Sequence, residues 1–213
     1  MKSSEISAIF PEVRTMPHRI AELYQRHASA FDAARRGSFP ERTWLERFER
    51  MLPRNAELLD LGCGGGEPIA RFLVDHGHRL TGVDTSATLV NLARTRFPRH
   101  KWIEADMMRF GGDSGAYDGI LAWCSLFHLE VNQQEKLIRR IGIWLRKSGV
   151  AMFNTGPAHG VAMGEFEGEE LYHASLSQNE YRAVLAESGL TVVNHVSEDA
   201  SCGGFTVWLV GKI

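Results

Sequence analysis

Apolar residues recur along this chain with two distinct periods. Near the start, Ile20, Leu23, Tyr24, His27, Ala28 and Phe31 fall on one face of a helical projection, which predicts a helix. A second helix is predicted with Trp44, Leu45, Phe48, Met51 and Leu52 inward. Ser38 and Glu41 have the spacing of a capping box for it, and Pro53 stops it. The pattern then changes. Short apolar runs near 57–60, 79–84, 101–105, 117–123 and 150–155 predict strands, with helical patterns filling the gaps. The clearest of those helices places Leu137, Ile138, Ile141, Trp144 and Leu145 on one face, with Asn132 and Glu135 as a cap pair and Gly149 as its end. Ser177 and Glu180 cap a further helix. Thr191 to Val196 and Phe205 to Val210 predict two last strands. Residues 1–16 read as a loose leader, and the chain has no internal repeat or low-complexity tract.

Strands alternating with helices predict an α/β fold, a doubly wound, mostly parallel sheet with helices on both faces. The predicted organisation is an N-terminal helical cap over 1–53 and a core over 54–213. One segment breaks the rhythm. Residues 157–174 are longer than the usual connection of about 2–6 residues between a strand and a helix. They mix Met163, Phe166, Leu171 and Tyr172 with four glutamates and with His159 and His173. They follow the fifth strand, at the carboxyl edge where open sheets bind ligands, so this segment predicts an active-site lid.

The most informative stretch is Leu58-Leu59-Asp60-Leu61-Gly62-Cys63-Gly64-Gly65-Gly66-Glu67, followed by the helical pattern of Ile69, Phe72 and Leu73. Strand, glycine turn and helix bring backbone against a nucleotide. Dinucleotide folds carry G-x-G-x-x-G with a pyrophosphate at the helix N-terminus. Here Gly62 and Gly64 fit, but Glu67 holds the third place, where an anion repels a pyrophosphate. Asp60 adds a second carboxylate. Two acids suit a ligand with a cationic end and no phosphate.

These residues resemble the first motif of the class I S-adenosylmethionine-dependent methyltransferases, of the bacterial small-molecule type. The resemblance runs along most of the chain. Thr81-Gly82-Val83-Asp84-Thr85-Ser86 is similar to the second-strand motif, Ile103-Glu104-Ala105-Asp106-Met107 to the third, and Tyr117 through Trp123 to the fourth. Phe127-His128-Leu129 follows, as His-Leu often does in that family. The resemblance implies a seven-stranded sheet with an antiparallel C-terminal edge and S-adenosylmethionine as cofactor. It implies that Asp84 binds both ribose hydroxyls, that Asp106 contacts adenine N6, and that Trp123 lies beside the methionine moiety. The expected cofactor contacts are Asp60, Gly62, Cys63, Gly64 and Glu67 of the loop, Asp84 and Thr85, Asp106 and Met107, and Trp123. The Cys63 side chain itself reads as a small apolar filler.

Composition narrows the partners. The chain has 213 residues and a formal charge of −2, which gives no basic footprint for nucleic acid. The cluster Arg94, Arg96, Arg99, His100 and Lys101 reads as a solvated face. Cys63, Cys124 and Cys202 are odd in number and widely spaced, which suggests neither a disulfide framework nor a zinc site. No metal is expected. There is no apolar run of membrane-spanning length, and Met1 to Phe10 lacks the apolar core of a signal peptide, so a cytoplasmic location follows by default.

Methyl transfer from a sulfonium mainly requires alignment of acceptor and methyl and exclusion of water. An acceptor of low basicity also needs a proton acceptor. His128, just past the fourth strand, is the candidate base, ahead of His159 and His173. By the resemblance, an N-terminal helix lies over the cofactor, so Tyr24, His27 and Phe31 could do so here. Tyr24 and Phe31, with His159, Phe166, Tyr172 and His173 of the lid, are the candidate substrate contacts. Arg35 and Arg36 suggest an anionic acceptor and the lid acids a cationic one, so its charge stays open. The chain lacks the Asn/Asp-Pro-Pro-aromatic motif and the Pro-Cys dipeptide, which argues against exocyclic base amines and cytosine C5 as acceptors and leaves other macromolecular targets open. The expected function is methyl transfer to a small molecule. The alternatives are a nicotinamide oxidoreductase, which Glu67 disfavours, and a non-catalytic cofactor-binding module. The oligomeric state is unreadable.

Overall fold

A computed structural model describes residues 16–213; apart from Met16, the leader expected over 1–16 lies outside the described residues. The single helix predicted around Ile20 to Phe31 is two, α1 (Met16–Arg26) and α2 (Ala28–Arg36). They break at His27, whose φ of −102° and ψ of 20° leave the helical region while its ring reaches Glu169 at 2.7 Å. The next helix, α3 (Arg42–Glu49), starts later than the predicted cap. Glu41 precedes it but caps nothing, because its buried carboxylate is bound by Arg35. A tertiary partner has outcompeted the local one. Met51, expected inward, lies beyond the helix and is exposed.

The core contains β1 (Glu57–Leu61), α4 (Ile69–Asp75), β2 (Arg79–Asp84), α5 (Ala87–Arg96), β3 (Lys101–Glu104) and β4 (Tyr117–Ala122). A 3₁₀ turn (Leu126–His128), α6 (Val131–Trp144) and β5 (Leu145–Thr155) follow. The cap pair predicted for α6 is displaced. Gln133 accepts the Glu130 N–H at 3.2 Å, and Glu135 pairs instead with Arg139 at 3.3 Å. Gly149 does not end the helix; it lies inside β5, which starts directly after Trp144. Segment 157–174 is mostly a β-hairpin, β6 (Gly160–Phe166) and β7 (Glu169–Ser175), forming a separate two-stranded sheet. Then come α7 (Gln178–Glu187), β8 (Leu190–Asp199) and β9 (Phe205–Lys212). The capping box of α7 forms as expected: Glu180 accepts the Ser177 N–H at 2.7 Å, and Ser177 Oγ accepts the Glu180 N–H at 3.3 Å.

The main sheet has seven strands in the order β3-β2-β1-β4-β5-β9-β8. Its first five strands pair in parallel; β9 runs antiparallel to both β5 and β8. Strand alternation divides the core between two faces. Leu58, Leu121, Val150, Met152, Val207 and Leu209 meet Trp44, Phe48 and Leu73 on one side. Leu59, Leu61, Ile120, Ala151, Phe153 and Trp208 meet Leu137, Ile141 and Tyr181 on the other. The carboxyl ends of β1, β2, β3 and β4 therefore open at one edge, and α1, α2 and the hairpin lie over it.

Candidate active site

The glycine turn after β1 folds over β2. Gly62 and Cys63 donate their N–H groups to the Val83 carbonyl at 2.8 and 3.1 Å. Gly62 has φ +81°, and a Cβ there would stand 2.4 Å from Cβ of Ser125, so both its conformation and its packing require glycine. Ser125 in turn donates its hydroxyl to the Leu61 carbonyl at 2.6 Å. The end of β4 is thereby clasped to the end of β1.

Asp84 ends β2. Its carboxylate accepts the Gly64 N–H and the Ser86 N–H, each at 2.9 Å. Burial raises its pKa, and these N–H groups partly offset that. Asp106, past β3, accepts the Met108 N–H at 2.8 Å. Arg140 of α6 holds this loop by donating to the carbonyls of Met107 at 3.3 Å, Met108 at 2.7 Å and Phe110. Asp84, Thr85, Asp106 and Met107 line one cavity of about 310 Å³ together with Gly62, Cys124, Ser125 and His128. Tyr24 and Phe31 form part of its wall from the N-terminal helices.

At the far wall, the Tyr24 hydroxyl lies 3.0 Å from His128 Nε2, and His128 Nδ1 lies 2.9 Å from the Tyr172 carbonyl. A carbonyl only accepts, so Nδ1 carries the proton and Nε2 accepts from Tyr24. Burial lowers His128 to about 4, which keeps the ring neutral at pH 7. Burial also raises the Tyr24 phenol, keeping it protonated. Phe166 of the hairpin packs over this pair, 6.1 Å from the Tyr24 ring and 6.2 Å from Phe31. Glu169 fastens the hairpin to α1 through Arg26 at 2.5 Å and to His27 at 2.7 Å.

Several expected contacts lie elsewhere. Trp123 continues the alternation of β4 onto the face of Leu121 and packs against Phe205 at 5.7 Å. Cys124, not Trp123, faces the cavity. The Cys63 side chain is core filler and does not line the cavity, nor does Glu67, which pairs with Arg71 at 3.1 Å. Asp60 is buried beneath the loop, where desolvation and the Asp84 charge push it up to about 7. Gly64 contributes its N–H to Asp84 and backs onto Phe31. The Tyr172 ring lines a separate groove beside Arg19 and Leu23. His173 meets Phe127 edge-on at 4.8 Å and lies tilted to His128 at 5.1 Å, while His159 is exposed and pairs with Glu180 at 2.9 Å.

The site also depends on residues that sequence reasoning passed over. Cys124 adopts φ +51°, and its N–H is taken by the buried Asn154 Oδ1 at 2.7 Å. Asp32 of α2 forms a paired contact with Arg96 of α5, at 2.5 and 2.7 Å, and Arg96 also donates to the Gly65 carbonyl at 2.9 Å. This ion pair pins the N-terminal helices onto the glycine loop. No local signal links residues 64 positions apart. Ser125 and Cys124, immediately past the fourth strand, were findable by position. Among the described residues, no group of three or more His, Cys, Asp or Glu could hold a metal ion. No described helix is long and apolar enough to cross a membrane.

Comparison with known proteins agrees with this geometry. A family model for a methyltransferase domain matches residues 58–149. A trans-aconitate 2-methyltransferase of Rhodopseudomonas palustris is 28% identical over 200 residues, covering 81% of this chain and 73% of that protein. Another, from Paracidovorax citrulli, is 36% identical over 101 residues, or 46% of this chain and 38% of that protein. The chain spans about half the length of the first curated relatives it matches. Among solved structures, the Burkholderia thailandensis 1,6-didemethyltoxoflavin-N1-methyltransferase, with S-adenosylhomocysteine bound, superposes with a TM-score of 0.68 at 21% identity, covering 92% of this chain and 90% of that one.

Proposed function

We propose that the chain is a class I S-adenosylmethionine-dependent methyltransferase and that it methylates a small-molecule acceptor by in-line displacement. The observation that carries this reading is the Asp84 carboxylate, held by two backbone N–H groups at the end of β2 and facing the cavity. The residues present fit the cofactor. Asp84 and Asp106 bring two carboxylates to a cavity with no Lys or Arg among its lining residues. That set suits ribose hydroxyls, an adenine amino group and a cationic end, and it disfavours the pyrophosphate of a nicotinamide cofactor. When bound, S-adenosylmethionine supplies a methyl group already activated on sulfur.

The protein's task is then positioning, which contributes ~7–11 kcal/mol in well-oriented reactions. In this reading α1 and α2 are the cap over the cofactor, and the β6–β7 hairpin is the lid that excludes water, with Phe166 as its inner face. Tyr24 and His128 form the proton route. An acceptor O–H or N–H resting on the Tyr24 oxygen passes its proton there, while the tyrosine's own proton moves to Nε2 of His128. With a pKa near 4, His128 takes that proton only once bonding to the methyl has made the acceptor strongly acidic. Relatives named for trans-aconitate, and a fold neighbour holding didemethyltoxoflavin, support a small acceptor. The free thiols of Cys63, Cys124 and Cys202 support a cytoplasmic location.

Calorimetry with S-adenosylhomocysteine tests the reading. Binding is expected. A wild-type protein that takes up none at millimolar ligand overturns it, and enhanced NADH fluorescence on mixing would return the nicotinamide alternative.

A further inference from the structure

The cofactor cavity, at about 310 Å³, lies at the low end of the roughly 300–1,000 Å³ typical of small-molecule sites. With the cofactor in it, the acceptor has to approach from an adjoining space. A second cavity, of about 480 Å³, lies on the other side of the 3₁₀ turn Leu126–His128. Its floor is the carboxyl end of β5 at Thr155 and Gly156, its roof is the hairpin, and Phe205 closes one side. This is the sheet edge at which the cofactor cavity also opens. Consecutive residues divide the two: His128 lines the first cavity and Phe127 the second. The partition is made of three rings. Phe127 lies 4.7 Å from His128 and 4.8 Å from His173, and the two histidines are 5.1 Å apart.

The two cavities differ in charge. The first holds Asp84, Asp106 and Glu130. The second has no Asp, Glu, Lys or Arg in its lining, and its only titratable side chains there are His159 and His173. Burial lowers the pKa of His173, which keeps it neutral, and His159 is already paired with Glu180 at 2.9 Å. No Asp, Glu, Lys or Arg of the lining is there to pair with a charged ligand. The shape is equally selective. Phe127, His173 and Phe205 present rings, while Gly156, Ala162 and Ala174 present almost no side chain between them. Ala162 pairs across the hairpin with His173, so the two share one face. This lining of rings and small residues suits a flat molecule.

We propose that this second cavity binds the methyl acceptor, and that the acceptor is an uncharged, planar heteroaromatic molecule. The proposal rests on the methyltransferase reading above. His173 is the moving part. It is half-buried, and among the described residues no hydrogen bond holds its ring. Its rotation opens the partition onto His128 and the Tyr24 hydroxyl, bringing a ring N–H or an exocyclic O–H of the acceptor to the proton route.

The test uses quinoline as neutral probe and quinoline-2-carboxylate as its anionic counterpart, titrated by calorimetry into protein saturated with S-adenosylhomocysteine. Quinoline is expected to bind without displacing S-adenosylhomocysteine, and at least tenfold more tightly than the carboxylate. Ala162→Trp fills the cavity. It is expected to weaken quinoline at least tenfold and to leave S-adenosylhomocysteine affinity within twofold, which also shows that the variant is folded. Competition between quinoline and S-adenosylhomocysteine, equal quinoline binding by the variant, preference for the carboxylate, or no quinoline binding at millimolar concentration would each overturn the proposal. Failure of S-adenosylhomocysteine to bind the wild type overturns the methyltransferase reading instead. Quinoline binding to the wild type and its loss in Ala162→Trp then still decide whether the cavity is a site.

Discussion

The sharpest test of the architecture is a double-mutant cycle on Asp32 and Gly65. Asp32→Ala removes one partner of a buried ion pair and leaves the Arg96 guanidinium uncompensated. Breaking such pairs costs about 3–5 kcal/mol, and the low end applies here because about a fifth (19%) of the Arg96 side chain remains exposed. Gly65→Ala adds a Cβ 2.3 Å from Asp32 Oδ1 and 2.9 Å from Arg96 Nη1, which must shift. Gly65 has no left-handed φ, so the penalty is overpacking alone, ~1–3 kcal/mol. In the Asp32→Ala background the new methyl enters space the carboxylate has left. The second substitution should then cost almost nothing, giving a coupling of about 1–3 kcal/mol. Urea unfolding followed by tryptophan fluorescence, with unchanged m-values, measures all four corners. Additivity within ~0.5 kcal/mol would refute the claim that Asp32 occupies the space above Gly65. The cycle also has a pH signature. Hydrogen bonding to Arg96 holds the Asp32 carboxyl below its usual range. Its stabilisation is therefore complete above the unfolded carboxyl pKa of ~3.9 and is lost as pH falls through the lower folded value, so the deficit of Asp32→Ala should shrink in strong acid.

Five further outcomes are expected. Asp84→Ala should weaken S-adenosylhomocysteine by at least ~100-fold in calorimetry, since hydrogen bonds to a charged group contribute ~1.5–3 kcal/mol each; a loss under tenfold contradicts the ribose assignment. Tyr24→Phe should lower kcat by ~100-fold while leaving cofactor affinity nearly unchanged. In the wild type the acid limb of kcat should lie near pH 4, where His128 becomes protonated, and a limb near 6.5 would show that His128 is not held neutral by burial. Asn154→Ala strands the Cys124 N–H and should cost ~1–3 kcal/mol in urea unfolding, with no change sinking its assigned role. Glu169→Gln should speed hydrogen exchange across β6 and β7 with little change in melting temperature, because its ion pairs are solvent-exposed. A fall in melting temperature as large as that of Asp32→Ala would mean the hairpin belongs to the cooperative core.

The strands, the order of the acids at their ends and the glycine turn were all legible in the chain, because each is written in neighbouring residues. Short apolar runs specify strands whatever they pair with, and Gly62 is required by a turn only a few residues long. Asp84 and Asp106 follow their strands directly, so their place at the sheet edge came with the strand order. What failed did so where a distant group outweighed a local preference. Glu41 has the spacing of a cap, but Arg35 took its carboxylate. Asn132 and Glu135 have the same spacing, yet the helix begins at Val131 with Glu130 and Gln133. The segment 157–174 read as an anomalous connection, and only folding made it a hairpin whose Phe166 meets Tyr24 and Phe31.

The sequence by itself thus determined the scaffold and brought Gly62, Asp84 and Asp106 to one sheet edge. The tertiary structure decided the rest: Cys124 rather than Trp123 at the cavity, Asp32 and Arg96 as the pin, Tyr24 bonded to His128, and a second, uncharged cavity behind Phe127. The reason is physical. Backbone conformation responds to the nearest few residues. The direction of a side chain past a strand end, and the partner of a buried charge, are chosen by whatever the finished fold brings within a few ångströms.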